Sequence, residues 1–534
     1  MADPRPTSSP ARPPHPSSRP GRPGAPADAP LPVVVVGAGP TGVTAALLLA
    51  GHGVRSVVLD RFPGIFPQPR AVHLDDEVYR VLQRVGAHEG FAAVSRPGTG
   101  LRLLAPDHRV LAEFARGVAA GVHGHPEANM FDQPDLETLL RRRAAEEPLV
   151  TLRGGVEVTG VGQSADGPVR ITLTDRDTGV RETLAARYLL GCDGANSTVR
   201  ARVGVAMRDL GFAQRWLVVD VDTDATIDTW DGVHQVCDPR RAATYVRVGS
   251  RRHRWEFRLL AGETAAGMSE PETLARLVRP WTREVPFSAL TVVRSAEYTF
   301  RAQVAERWRV GRVFLLGDAA HLTPPFVGQG LGSGLRDAAN LTWKLAGVLG
   351  GGLSDDALDS YQTERLPHVT SLIRLAMMVG RSMTEGGEVG NLLRRVVVPR
   401  LAWLPMVLDS ATPPLRRSAL RRRRAAPWGL AGRLCPNAPL ADGRRLDDLA
   451  GLCFVLVTAR PVPPVVAAVA RRRGVLPVTV ARGSQLGRWL RRGRAGAALV
   501  RPDRTVLTSG DDLSALVAAA PVVPTAMDHS TPPS

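Results

Sequence analysis

Residues 37–42 read Gly-Ala-Gly-Pro-Thr-Gly, directly after the largely β-branched run Pro32–Val36 and directly before Val43–Gly51, a segment of helical composition that ends in glycine. A second buried strand is expected at Val54–Leu59, and strand, turn, helix and strand together make a βαβ unit whose right-handed crossover sets the two strands side by side. In that turn Gly37 permits the tight bend, Gly39 lets backbone approach a pyrophosphate and Gly42 lets the helix pack close. Ala38, Pro40 and Thr41 complete it, and the helix N-terminus faces the anion. Asp60 ends the second strand, eighteen positions after Gly42, where a carboxylate accepts hydrogen bonds from a ribose. These residues admit a nicotinamide or a flavin dinucleotide.

The rest of the chain is read around this unit. Residues 1–30 are dominated by Pro, Ser, Arg and Ala and are expected to form a disordered extension. Short alternating stretches at Val156–Val161, Val169–Leu173 and Arg187–Leu190 predict strands, and strand-like segments dominate 205–300, including Trp216–Val221, Thr244–Val248 and Trp255–Leu260. Residues 98–128 lose regular periodicity. Val313–Leu316 reads as another buried strand and Gly334–Val348 as a helix. An Arg- and Pro-rich stretch at 409–430 reads as a linker, and a small α/β unit follows it. The expected fold is therefore α/β with a mixed sheet inserted into the first domain.

Composition excludes several classes. The formal charge is +17, but Lys344 is the single lysine, and the arginine runs at 421–424 and 471–473 lack the interleaved aromatics of a nucleic-acid surface, so no nucleic acid is expected. Cys192, Cys237, Cys435 and Cys453 show neither a C-x-x-C nor zinc-ligand spacing, which predicts a reduced, cytoplasmic protein with no metal. Leu31–Gly51 carries no charge, yet its glycines and Pro40 divide it into pieces too short to span a bilayer, and no membrane association is expected.

Two further loops choose between the dinucleotides. Gly191-Cys192-Asp193-Gly194 and Gly317-Asp318-Ala319-Ala320-His321 each follow a strand, placing an aspartate at the C-terminal edge where open α/β sheets bind ligands. With the first turn, this ordered set resembles the class A FAD-dependent aromatic hydroxylases, typified by para-hydroxybenzoate hydroxylase, over roughly residues 31–380. The segments Gln68-Pro69-Arg70-Ala71-Val72-His73-Leu74-Asp75-Asp76-Glu77, Val236-Cys237-Asp238-Pro239, Arg254-Trp255-Glu256-Phe257 and Pro324-Pro325-Phe326-Val327-Gly328-Gln329-Gly330 are similar to those of 3-(3-hydroxyphenyl)propionate hydroxylases and related polyketide hydroxylases.

The resemblance implies a Rossmann-like FAD-binding domain (31–205 and 300–408), an inserted substrate domain (206–299) and a thioredoxin-like C-terminal domain (431–522) without a C-x-x-C. It also implies non-covalent FAD, with NADH or NADPH as a transient co-substrate, O2, and a small aromatic substrate. Carried over by residue, Gly37, Ala38, Gly39, Pro40, Thr41, Gly42, Asp60 and Arg61 take the ADP part. Asp193 and Asp318 take further parts of FAD, the latter its ribityl chain. Arg70 lies near the isoalloxazine and Gln133 near the ribityl–pyrophosphate region, and Pro325, Gly328, Gln329 and Gly330 supply the loop beside the ring.

The implied reaction is hydroxylation of a phenol; an epoxidase, a Baeyer–Villiger enzyme or an inactive flavoprotein with an assembly role stay open, as does self-association as a homo-oligomer. The catalytic base is not identified, with His73, His234 and Tyr245 as candidates. Tyr245, Arg247 and Trp255 are taken to line the substrate pocket. Gly332 stands where the family commonly has Asn, which predicts a looser flavin loop and tighter FAD binding in Gly332→Asn.

Overall fold

The computed structural model describes residues 31–66, 70–165, 167–384 and 429–524. The expected extension 1–30 lies outside the described residues, as does the expected linker but for its last two positions.

Val33–Val36 is the inner strand of a six-stranded sheet. Ser56–Leu59 and Tyr188–Gly191 flank it in parallel, followed outward by Val150–Arg153 on one side and Val313–Leu315 on the other, with Arg309–Val310 as an antiparallel edge. All four residues of Val33–Val36 are buried, as a parallel strand covered on both faces requires. Register decides what happens at the sheet's end. Val36 lies opposite Leu59 and Gly191, and Gly191 lies opposite Leu315, so the chain leaves these strands at neighbouring points and its loops emerge together.

The second large element is an eight-stranded sheet. Its long strands Met207–Asp222 and Thr291–Ala305 pair antiparallel, and Arg252–Arg258, Ala243–Arg247 and Val233–Val236 extend it. The structure corrects the reading of 98–128 as non-periodic. Gly100–Leu104 and Val110–Ala115 form a hairpin at this sheet's edge, and His321–Leu322 closes the other edge. The sheet thus draws strands from before and after 206–299. Val110–Ala115 buries only Leu111 and Phe114, and so few apolar positions in an edge strand left little periodicity to read.

Beyond residue 429, Val475–Thr479, Phe454–Thr458, Ala497–Val500 and Val506–Gly510 form a four-stranded sheet in that order, the first pair parallel and the others antiparallel. Its helices include Pro464–Arg472, Gln485–Arg492, which buries Leu486 and Leu490, and Leu513–Ala518. No helix among the described residues is long and apolar enough to cross a membrane.

Candidate active site

The three loops at the end of the six-stranded sheet form one wall of a groove. Gly37 has φ +104°, and a Cβ there would collide with the carbonyl of Cys192, so only glycine lets the first turn lie against the second loop. Gly39, by contrast, has no atom within 4 Å of where its Cβ would be: the space in front of the turn is open. Pro40, Thr41 and Gly42 begin the helix Pro40–Gly51, which has no side-chain cap. A Cβ at Gly334 would strike Thr41 Oγ1, so the helices Pro40–Gly51 and Gly330–Leu349 touch through their first turns and bring two N-termini to one groove.

The acidic residues differ in how their oxygens are used. Asp60 Oδ2 accepts from Ala38 N–H (2.6 Å) and Oδ1 from Phe62 N–H (2.8 Å), which ties the second strand's end to the glycine turn. Arg61 is exposed, its guanidinium 5.0 Å from the Phe62 ring. Asp193 spends its carboxylate on its own loop, accepting from Ser197 Oγ (2.5 Å) and Val199 N–H (3.0 Å).

Asp318 has no side-chain hydrogen bond among the described residues. It is accessible to solvent yet ringed by protein, the state of a carboxylate on the wall of an open groove. Burial raises its pKa above the ordinary carboxylate value, with His321 and Arg70 opposing. Its loop is braced by a residue that sequence reading missed. Asp337, fully buried, accepts from Gly317 N–H (3.1 Å), Arg365 Nε (2.8 Å) and His321 Nε2 (2.7 Å). Its place beside Arg336 in a helix that also buries Asn340 and Lys344 was the available signal.

Arg70 and the loop 325–330 form the next part. Arg70 is exposed, lies 4.7 Å from the Phe66 ring, and accepts at its carbonyl from Arg254 Nη1 (2.5 Å). Gln133 positions this segment rather than facing the groove: its Oε1 accepts from Ala71 N–H (2.7 Å) and its Nε2 donates to Glu137 (2.8 Å). His73 Nδ1 meets the carbonyl of Gly328 (3.3 Å), which joins the Arg70 segment to the loop, and burial holds its pKa below the ordinary value. Pro325 is exposed, Gly328 adopts φ +62°, Gln329 accepts from Arg336 (2.9 Å), and Gly330 opens a helix without a side-chain cap.

The opposite wall is one face of the eight-stranded sheet, and it corrects the substrate-lining expectation. Side chains alternate between faces of a strand. Tyr245 and Trp255 are paired across strands, 1% and 0% exposed, and belong to a core with Leu217, Val219 and Trp281 on the face turned away from the groove. Tyr245 donates or accepts at His253 Nδ1 (2.9 Å), and His234, which meets the carbonyl of Trp230 (2.8 Å), shares that face. Arg247 turns back on its own hairpin, donating to the carbonyls of Gly249 and Ser250. None of these four reaches the groove.

The residues between them do. Gln235, Thr244, Glu256, Val218 and Ala296 form one row across five strands, and Val246, Arg254, Asp220 and Arg294 form another. Gln235 Nε2 donates to the carbonyl of Phe326 (2.9 Å), and Arg254 reaches Arg70, so this face meets the flavin-side loops at both ends. Glu256 stands between those contacts with no hydrogen-bond partner among the described residues. Burial, with Arg254 opposing, pushes its carboxyl up to about 7. Tyr298 also lies on this side, exposed, its hydroxyl raised by burial and by Asp318. Trp216, Phe300 and Phe326 pack there as an aromatic cluster. Glu256 sits in the segment Arg254-Trp255-Glu256-Phe257, where alternation of charged and aromatic residues was the signal that could have found it.

The groove fits FAD on its own chemistry. It offers open space before Gly39, two uncapped helix N-termini, an unpartnered aspartate for hydroxyl donors, and the partnerless hydroxyl of Thr323 at the start of the flavin-side loop. Fold and loops together define a dinucleotide-binding α/β protein with a facing sheet.

A model of the FAD binding domain family matches residues 30–376. The 3-(3-hydroxy-phenyl)propionate/3-hydroxycinnamic acid hydroxylase 2 of Burkholderia vietnamiensis is 33% identical over 436 residues, 80% of this chain and 78% of that protein. A probable NADH-specific resorcinol 4-hydroxylase of Rhodococcus jostii is 38% identical over 358 residues, 66% of this chain and 65% of that protein. Among solved structures, the OxyS anhydrotetracycline hydroxylase from Streptomyces rimosus matches with a TM-score of 0.73 at 26% identity, covering 93% of this chain and 100% of that one. The chain belongs to the FAD binding domain family and, within it, to the FAD-dependent aromatic hydroxylases.

The expectation for Gly332 is reversed by its surroundings. A Cβ there would stand 2.9 Å from Arg336 Nη1 and 3.1 Å from Val78 Cγ2, on the side packed against the helix Asp76–Arg84. An asparagine would disturb the bonds from Arg336 to Asp75, Glu77 and Gln329 before it met any flavin. Gly332→Asn is therefore expected to destabilise the protein by about 1–3 kcal/mol, the range for overpacking. FAD titration of the variant, read by flavin fluorescence, should give weaker binding rather than tighter.

Proposed function

We propose that the protein is an NAD(P)H-dependent monooxygenase that places one oxygen atom of O2 on the ring of a phenol, either a 3-hydroxyphenylpropionate-like acid or an aromatic polyketide, with Glu256 as the base that takes the phenolic proton. The observation that carries this reading is Glu256 itself: a carboxyl near neutrality in pKa, unpartnered, on the sheet face that meets Arg70 and the Phe326 loop. Such a group accepts a proton at neutral pH and returns it in a later step. Ionising the phenol raises the electron density of the ring carbon that is to be oxygenated.

FAD, when bound and reduced by a nicotinamide, supplies the activated oxygen. The chain's own residues do the rest. The uncapped start of Gly330–Leu349 offers N–H groups to negative charge at the flavin ring, and Trp216, Phe300 and Phe326 exclude water from one end of the groove. Asp193 acts through its backbone loop, because its carboxylate is already bonded there.

The names of the relatives support the two substrate classes and the nicotinamide, NADH among them. The discontinuous FAD-binding domain, the substrate domain at 206–299 and a thioredoxin-like segment at 431–522 are part of the same proposal. The last is supported by its mixed four-stranded sheet with flanking helices. Without a C-x-x-C this segment carries out no disulfide exchange.

The test is NADH and NADPH consumption with 3-(3-hydroxyphenyl)propionate, resorcinol and polycyclic phenols under ¹⁸O2. A hydroxylated product carrying one labelled oxygen is expected; a lactone, an epoxide or an unlabelled product overturns the reading. Arg70→Ala should retain nicotinamide oxidation but release hydrogen peroxide in place of product, because Arg70 is exposed and its charge acts on both Asp318 and Tyr298. An unaltered ratio of product to nicotinamide would remove Arg70 from a positioning role.

A further inference from the structure

Away from the groove, the helices Asp76–Arg84, Gly330–Leu349 and Ser360–Thr384 meet the C-terminal segment across a layer of buried charge. Arg80 donates through Nε and Nη2 to both oxygens of Asp447 (2.7 and 2.9 Å), and Arg504 Nε donates to the same carboxylate (2.8 Å). Each of these side chains is at most 1% exposed. Arg336 is held by Asp75 and Glu77, and Arg365 by Asp337. Two cations therefore share the carboxylate of Asp447.

Arg84 has none. Its Nε and Nη1 donate to the carbonyls of Arg80 and Pro502 (3.3 and 2.8 Å), and no carboxylate among the described residues forms an ion pair with it. Burial and the guanidiniums of Arg504 and Arg80 hold it down to about 10, against the more distant carboxylates of Asp447 and Asp503. His368, 4% exposed, adds a second unmet need. Its Nδ1 lies 2.7 Å from Arg365 Nη1, and because arginine can only donate, Nδ1 accepts and the ring proton sits on Nε2. That N–H is buried and has no partner among the described residues.

Arg84 and His368 border the same cavity of about 50 Å³, with Arg80, Arg336, Arg365 and Arg504 on its wall. Its two carboxylates, Glu77 and Asp503, already serve Arg336 and Arg501. A partly buried guanidinium with no ion pair of its own and a buried N–H without an acceptor among the described residues both cost stability, and an anion between them satisfies both.

We propose that this cavity binds a small tetrahedral oxyanion, of which inorganic phosphate is the type, as a counter-ion that joins the FAD-binding helices to the C-terminal segment. The volume holds roughly four water-sized atoms, the size of such an ion. Guanidinium groups bind its oxygens with matched geometry. The site is separate from the groove and does not depend on the reading of Glu256.

The test uses the full-length, FAD-loaded protein. Its melting temperature is followed as sodium phosphate replaces sodium chloride at constant ionic strength. A saturable rise of roughly 2–4 °C is expected, the size of a ligand contribution near 3 kcal/mol, or phosphate at about 100 times its Kd, for a chain of this length. Arg84→Gln, which removes the uncompensated charge, should melt no lower than the wild type without phosphate and gain nothing from it. His368→Leu should likewise lose the response. A rise that does not saturate, an equal rise in either variant, or no rise in the wild type would overturn the proposal; so would equal stabilisation by chloride alone.

Discussion

Glu256→Gln is expected to lower kcat/KM for a phenolic substrate by about 10²–10⁴, the range a positioned general base contributes. The amide keeps the shape of the side chain and cannot take a proton, so FAD content and fold should be unchanged. The pH profile separates this role from a structural one. Burial raises the folded carboxyl from its ordinary value to about 7, so the basic form accumulates only as pH rises through that value. The wild-type kcat/KM should therefore climb with pH on a limb near 7, and the variant should lack that limb. The same shift costs stability between the unfolded carboxyl pKa and about 7, where the unfolded chain has lost its proton and the folded one retains it. Above that window the ligand-free variant should melt no lower than the wild type. A variant with full activity, or with the limb intact, would show that another group takes the phenolic proton.

Asp318→Ala should weaken FAD binding by about 10- to 150-fold, the equivalent of roughly 1.5–3 kcal/mol for a hydrogen bond to a charged group. The effect follows from what Asp318 lacks. Asp60 and Asp193 are both satisfied by backbone and hydroxyl donors, whereas Asp318 has no donor among the described residues and its raised pKa records the cost of holding it so. A ligand with hydroxyls removes that cost. The sign can be checked without flavin: a folded carboxyl pKa above the unfolded one means stability is lost as pH rises between the two, so the ligand-free Asp318→Ala protein should be no less stable than the wild type at neutral pH. FAD dissociation by fluorescence and melting of both flavin-free proteins measure the two halves. A variant that retains FAD fully would place the ribityl chain elsewhere.

The flavin wall was legible in the sequence because its determinants are local. Glycine spacing at 37–42 and the β-branched runs before it specify a turn between a buried strand and a helix, whatever the rest of the chain does. Asp60, Asp193 and Asp318 follow strand ends, and parallel strands joined by crossovers bring such ends to one edge, as the register of Val36, Leu59, Gly191 and Leu315 bears out. The substrate wall was not legible in the same way. Alternation in Arg254-Trp255-Glu256-Phe257 separates two faces of a strand without saying which of them looks at the flavin, and the aromatic pair Tyr245 and Trp255 drew the reading to the wrong one.

Only tertiary structure decided that point. Pairing of strands distant in sequence, with a helix Pro271–Thr282 covering one face, turned the aromatic residues into core and left Glu256 in the groove. Gly332 and Arg84 follow the same rule, since what a side chain meets across an interface depends on elements far away in the chain. The amino-acid sequence by itself determined the dinucleotide-binding turn, the three-loop edge and the class of cofactor, because these depend on backbone conformation and short-range order. The identity of the groove-facing carboxylate, and of the guanidinium at Arg84 that forms no ion pair among the described residues, were decided by packing, because burial and electrostatic partners are properties of the assembled fold.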